Sequence, residues 1–336
     1  MRVSKIGEFG LIYRLAGLIS KANRKTWQSS RQVIVGLGDD AAVWRPQNPY
    51  QIATVDSLVE NIHFTLRTIT WEELGWKSIA VNLSDIAAMG GTPRYALISI
   101  GLPENTEVEN VEALYRGMIK IAGQHRVNII GGDTVSSPFL FISVTVLGTA
   151  SNAAGRVLTR SAANPGDRVA VTNSLGASAA GLQMLLHGLK FESKLADAIR
   201  KAHVTPTPRI KEGQTLVAKA VKCGIDISDG LVGDLTHICE MSKVGARLNV
   251  DAVPVSPAAK VCFPEKALEL ALTGGEDYEL LFTAPTRVMP VVRKALACPV
   301  TVVGEITADH PGKVVLVDGA GKPYTMKKSG WDHFGQ

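Results

Sequence analysis

The sequence has few of the features that would commit it to thiolate, secretory, membrane or nucleic-acid chemistry. Its four cysteines, Cys223, Cys239, Cys262 and Cys298, stand far apart with no C-x-x-C pair. That spacing argues against a zinc site and fits reduced core thiols in a cytosol. No stretch reaches the roughly 18 uncharged apolar residues of a membrane span. The first twenty residues mix Lys5, Glu8 and Arg14 into their apolar positions, unlike a signal peptide, so a cytoplasmic location is expected. There is no Lys/Arg block and no interleaving of basic with aromatic residues; a net charge of +5 over 336 residues is small, so no nucleic-acid partner is expected.

Several familiar motifs are also missing. G-x-x-x-x-G-K-[ST] is absent, as are H-R-D-L, D-F-G, G-x-S-x-G and H-E-x-x-H, so nucleotide chemistry here would need a fold without a P-loop. Gly176-Ala177-Ser178-Ala179-Ala180-Gly181 comes nearest to a nucleophile motif, but it reads better as a small-residue turn entering a closely packed helix.

What is present is a globular pattern. With 46% hydrophobic and 20% charged residues, the chain can bury a sizeable core and suggests about two domains. Runs rich in Val and Ile alternate with helical patterns, the mark of an α/β or α+β architecture. Strands are expected at Val33–Val35, Tyr50–Val55, Tyr95–Leu102, Asn128–Ile130, Phe139–Thr149, Arg168–Thr172 and Val300–Val303. Thr70 followed by Trp71-Glu72-Glu73 predicts a capping box and a helix to about Met89, stopped by Gly90-Gly91-Thr92-Pro93. That helix places Asn82 and Asp85 one turn apart on one face. The break at TASNAAG and the turn at Asn164-Pro165-Gly166-Asp167 divide the chain into expected domains 1–150 and 151–336.

The acids are placed informatively. Gly36-Leu37-Gly38-Asp39-Asp40-Ala41 nearly spells the dinucleotide fingerprint G-x-G-x-x-A, yet puts two carboxylates where a pyrophosphate would approach. Asp56 follows QIATV, Asp133 follows VNIIGG, Asp226 and Asp229 lie in CGIDISDGL, and Glu276 and Asp277 follow LALTGG. One Asp beside Gly after a strand is ordinary turn chemistry. Five such clusters, with Asp85 on an apolar helix, are a pattern: loops at one sheet edge converge, and clustered carboxylates repel unless hard cations bind them. Oxygen-rich clusters select Mg²⁺, Ca²⁺ or Mn²⁺ over zinc. Phosphoryl transfer between two polyanions uses such a site, and glycine beside the acids lets backbone N–H groups approach phosphate.

The segments GLGDDAAV, TVDSLVENIHF, AVNLSDIAAMGGTPRYALISIGLP, IIGGDT, GRVLTRSAANPGD, GIDISDGL, TGGEDYELLFT and GWDHF together resemble the thiamine-monophosphate kinases, in the same order over nearly the whole chain. That family is similar to a wider group, including aminoimidazole ribonucleotide synthetase, that uses ATP without a P-loop. The resemblance implies an N-terminal mixed sheet that pairs with a second copy into a dimeric β-barrel interface, a C-terminal α/β domain, and a site between the two domains. The N-terminal domain would bind ATP and metal and dimerise. The implied reaction is ATP plus thiamine monophosphate giving thiamine diphosphate and ADP, by direct transfer.

Carried over residue by residue, the resemblance implies that Asp39, Thr54, Asp56, Asp85, Asp133, Asp226 and Asp229 hold several Mg²⁺ ions, with Asp56, Asp133 and Asp226 the catalytic carboxylates. Asp40 would stand behind Asp39. Gly132, Asp133, Arg160 and Ser228 would contact ATP, and His63, Glu276 and Trp331 would hold thiamine monophosphate. Trp331 offers a face to a cationic ring, Glu276 a counter-charge, and Arg160 a planar fork of donors for phosphate.

Plainer roles exist for each. His63 suits a satisfied half-buried histidine, Trp331 a docked tail, Arg160 a solvated strand-end charge, and Glu276 with Asp277 a helix-start pair.

The chain departs from the family pattern in places. Val55 stands where a second hydroxyl residue is usual before Asp56. Val135-Ser136-Ser137 lacks an Arg, Asn173 replaces a usual Gly, and Ala177 a usual Asp. Two alternatives follow: a sister ATP-dependent synthetase of the same fold group, or a non-catalytic sensor of nucleotide or thiamine phosphate, for which Val55 is the support.

Overall fold

The computed structural model describes residues 2–23, 33–35, 43–44, 46, 50–152 and 154–325. The chain forms two compact units: Met1–Ile86 with Thr92–Gly155, and Ala87–Gly91 with Arg156–Gln336.

In the first unit the order is α1 (Val3–Asn23), β1 (Val33–Val35), β2 (Val43–Trp44), β3 (Gln51–Val59), α2 (Trp71–Ala88), β4 (Gly91–Leu102), α3 (Val108–His125), β5 (Asn128–Ser136) and β6 (Phe141–Ala150). Strands β3-β6-β4-β5 make an open, mixed four-stranded sheet, and β1 pairs with β2. Helix α3 is the crossover that lets β4 and β5 run parallel, while β3 and β6 are antiparallel. The expected capping box forms: Glu73 N donates to Thr70 Oγ1 at 3.3 Å, and Thr70 N donates to Glu73 Oε2 at 2.9 Å. Helices α2 and α3 then meet at two glycines. A Cβ on Gly75 would lie 1.8 Å from the Leu114 carbonyl oxygen, and one on Gly117 1.8 Å from that of Glu72.

The second unit contains β7 (Arg168–Thr172), α4 (Ala177–His187), α5 (Ser193–Val204), α6 (Ile210–Ala218), β8 (Cys223–Asp226), α7 (Leu231–Ser242), β9 (Gly245–Asn249), α8 (Pro257–Cys262), α9 (Ala267–Thr273), β10 (Leu280–Ala284), α10 (Met289–Ala295), β11 (Val300–Thr307) and β12 (Val314–Val317). Its sheet has the order β12-β9-β11-β7-β10-β8. Every pairing in it is antiparallel except β12 with β9. This corrects the expectation of a C-terminal α/β domain: the unit is α+β, because its helices do not serve as crossovers between parallel neighbours. Val169, Val171, Ile225, Leu231, Leu235 and Leu281 anchor its core.

Strands β1 and β7 match the expected segments; β4, β5 and β11 extend past theirs, while β3 and β6 start later than expected, at Gln51 and Phe141, and end later, at Val59 and Ala150. β5 runs to Ser136 because it is an edge strand: beyond Ile130 its residues are polar or exposed, so apolar patterning ends before the backbone ladder does. Cys223, Cys239 and Cys262 are buried and free, as expected of core thiols, while Cys298 is half-buried. No helix among the described residues is long and apolar enough to cross a membrane.

Candidate active site

In the first unit, two periodicities bring oxygen atoms together. Alternation along β3 turns Thr54 and Asp56 to one side, and one helical turn on α2 turns Asn82 and Asp85 to meet them. Thr54 Oγ1 donates to Asp85 Oδ2 at 2.5 Å, and Asp56 N donates to Asn82 Oδ1 at 3.0 Å. Val55 points the other way and is 60% exposed, so its missing hydroxyl subtracts nothing from this group. The sensor alternative loses its support with it.

Asp133 is not brought to this group. It lies on β5, the edge opposite β3, three strand spacings or about 14 Å away along the sheet. It is exposed, and its Oδ1 accepts from Thr134 N at 2.9 Å. Gly132 beside it is needed for packing, since a Cβ there would lie 1.9 Å from the Ile98 carbonyl oxygen. His63 is half-buried after the turn at Asn61, and its Nδ1 accepts from Val59 N at 3.1 Å. Its ring is therefore oriented, with the proton on Nε2. Asp39, Asp40 and Trp331 lie outside the described residues.

In the second unit, two glycine loops dock on each other. Asp226 ends β8, and the loop through Ser228 and Asp229 turns at Gly230 (φ 110°) into α7. The Thr273–Tyr278 segment lies against it: Glu276 N donates to Ser228 O at 2.8 Å and Tyr278 N to Ile227 O at 2.8 Å. A Cβ on Gly275 would be 2.3 Å from the Ser228 oxygen. Glu276 (φ 66°) and Tyr278 (φ 51°) both take left-handed backbone that L side chains avoid, and such strain gathers at functional segments. Asp277 accepts from Gly176 N at 2.6 Å and Ser178 N at 3.2 Å, capping α4 from a hundred residues away. The small-residue turn into a packed helix is thus observed, with Asp277 as its cap. Asn173 fits its position for a related reason: it holds φ 47°, a conformation Asn tolerates, and its Nδ2 donates to Glu279 at 3.0 Å. The Arg160 main chain runs beside the start of β8, where its carbonyl accepts from Ser242 Oγ at 2.7 Å, whereas Asp226 ends that strand.

Three groups carry no clear signal in the sequence. Asp234, in the first turn of α7, accepts from Ser228 N at 3.0 Å and Asp229 N at 3.1 Å. Burial, then the charges of Asp226 and Asp229, push its carboxyl up to about 8. His237, one turn further on, completes a set in which ligand atoms of Asp229, Asp234 and His237 lie within 4.8 Å of one another. Glu279 is 4% exposed and accepts from Thr172 Oγ1 at 2.6 Å and from Arg209 Nε at 2.9 Å and Nη2 at 2.5 Å. The spacing of Asp229, Asp234 and His237 could have marked the first two. Glu279 pairs across 70 residues of sequence, which spacing cannot reveal.

Comparison with known proteins agrees with these motifs. Residues 38–150 match the model for the N-terminal domain of AIR synthase related proteins and 164–317 that for their C-terminal domain. The thiamine-monophosphate kinase of Escherichia coli K12 is 39% identical over 335 residues, 98% of each chain. The crystal structure of the thiamine-monophosphate kinase of Stenotrophomonas maltophilia K279a superposes with a TM-score of 0.81 at 33% identity, covering 92% of this chain and 96% of that one. AaThiL complexed with AMPPCP and TMP gives a TM-score of 0.75 at 32% identity over 99% of both chains.

Proposed function

The chain belongs to the thiamine-monophosphate kinase family of AIR synthase related proteins, and from that premise we propose how it phosphorylates thiamine monophosphate with ATP. The γ-phosphoryl group passes directly, in line, to the phosphate of thiamine monophosphate, giving thiamine diphosphate and ADP. That acceptor oxygen is already ionised near neutral pH, so no dedicated base is needed. The work left to the chain is alignment of two polyanions and balancing of their charge.

The donor set fits Mg²⁺. Thr54, Asp56, Asp85, Asp226 and Asp229 offer only oxygen; Asp234, lifted first by burial and then by the charges of Asp226 and Asp229, stands beside the second group, where a cation would offset carboxylate repulsion. Bound there, Mg²⁺ would neutralise charge on the phosphates. We assign Thr54, Asp56 and Asp85 to one part of the metal set, Asp226 and Asp229 to another, and Asp133 to a third position at the far edge of its sheet. Asp39 joins the metal set by the family pattern. Gly132, Asp133, Arg160 and Ser228 are assigned to ATP, and His63, Glu276 and Trp331 to thiamine monophosphate.

The observation that carries this reading is the docking of the Ser228 loop on the Glu276 loop, with Glu276 N to Ser228 O at 2.8 Å. It sets carboxylates suited to metal-held phosphate beside the carboxylate assigned to the organic end of the substrate. We further assign nucleotide binding and dimerisation to the N-terminal domain and a location in the cytoplasm. Ala53, Val55 and Ser57 lie exposed on the sheet face turned from α2, which suits pairing with a second copy into a barrel. Incubation with γ-³²P-ATP tests direct transfer: label should reach thiamine diphosphate only when thiamine monophosphate is present. Labelled protein formed without acceptor would replace direct transfer with a phosphoenzyme.

A further inference from the structure

The GASAAG turn does more than start a helix. A Cβ on Gly181 would lie 2.1 Å from the Ile199 carbonyl oxygen and 3.1 Å from His203 Cβ, so glycine is what lets α5 approach α4 this closely. The close approach delivers His203, 6% exposed, to the other end of the motif. Its Nδ1 lies 3.2 Å from Ser178 Oγ and 3.2 Å from Glu276 Oε2. An ionised carboxylate can only accept, so Nδ1 carries the proton. Ser178 and Glu276 share one ring nitrogen, which excludes a Ser–His–acid relay, where base and orienting acid use different nitrogens. The ring instead holds the carboxylate. Glu276 is then fixed at three points: its N–H on Ser228 O, its neighbour Asp277 on the α4 terminus, and its side chain on His203.

Resting on the assignment of Glu276 to thiamine monophosphate, we infer that His203 is a positioning residue that holds the Glu276 carboxylate for the cationic ring of the substrate. Steady-state kinetics of E276Q, H203A, H203N and the double variant H203A/E276Q test this. H203A should raise KM for thiamine monophosphate about tenfold, the weight of a hydrogen bond to a charged group, with kcat and KM for ATP within about twofold of wild type. H203N keeps an N–H donor at the same place and should recover most of the loss. The double variant should bind thiamine monophosphate no worse than E276Q, because both changes remove one interaction. Raised KM in E276Q with unchanged KM in H203A overturns the inference while sparing the Glu276 assignment. Unchanged KM in E276Q overturns the assignment and the inference with it. A parallel fall in kcat and rise in both KM values in H203A, unrelieved in H203N, would mark a purely structural residue and also overturn it.

Discussion

In the N-terminal unit, Thr54, Asp56, Asn82 and Asp85 are aimed by the repeats of regular elements, two residues along β3 and one turn along α2. In the C-terminal unit, Asp226, Ser228, Asp229, Glu276 and Asp277 sit on or beside loops that hold left-handed backbone at Glu276 and Tyr278. Regular elements aim side chains without local strain. Loops of the second kind cost about 1–3 kcal/mol per strained residue and persist only where surrounding contacts fix them. Here those contacts come from far along the chain, through Arg209, Thr172 and Asn173 to Glu279 and through the α4 terminus to Asp277. Substitutions that touch these supports should therefore cost more stability than those that touch the supports of α2.

The largest effect is expected at Glu279. Glu279→Ala leaves the Arg209 guanidinium without its buried partner and should lower unfolding free energy by about 3–5 kcal/mol in chemical denaturation. A loss below about 1 kcal/mol would mean that the loop is held by something else. Next comes Asp226→Asn, which preserves shape but removes charge; kcat should fall about a hundredfold or more with circular dichroism unchanged. A near wild-type rate would remove Asp226 from the catalytic set.

A smaller effect is expected in the pH dependence of stability. Burial pushes the Asp277 carboxyl up from 3.8 to about 7, against hydrogen bonds from Gly176 and Ser178. The folded protein keeps a proton that the unfolded chain has released, so stability from this group falls as pH rises between about 4 and about 7 and is level above. Asp277→Asn should flatten that slope by up to about 1.4 kcal/mol per pH unit, read from denaturation midpoints at pH 5, 6 and 7. An unchanged slope would show Asp277 ionised in the folded state. The smallest effect belongs to α2: Thr70→Ala breaks a cap and should cost about 1 kcal/mol. A loss matching that of Glu279→Ala would erase the contrast between the units.

The same contrast explains what was legible in the sequence. The capping box at Thr70 and Glu73, the shared face of Asn82 and Asp85, and the packed turn at GASAAG follow from rules that act within one or two turns of chain. The acids of CGIDISDGL and LALTGG stand out by composition, but their docking depends on bonds between Ser228 and Glu276, far apart in sequence. His203 and Glu279 gain their meaning only from such distant partners, whereas Asp234 takes its partners, Ser228 and Asp229, from the loop just before it. The antiparallel order of the second sheet was hidden for a related reason, since alternating strands and helices do not specify which strands become neighbours.

The most direct test of the proposed chemistry is ADP release by the purified protein with Mg²⁺ and ATP, comparing thiamine monophosphate, free thiamine and no acceptor. Release that requires the monophosphate, with thiamine diphosphate formed in equal amount, is the predicted result. Binding of ATP and thiamine monophosphate with no release, or release indifferent to the acceptor, would contradict it.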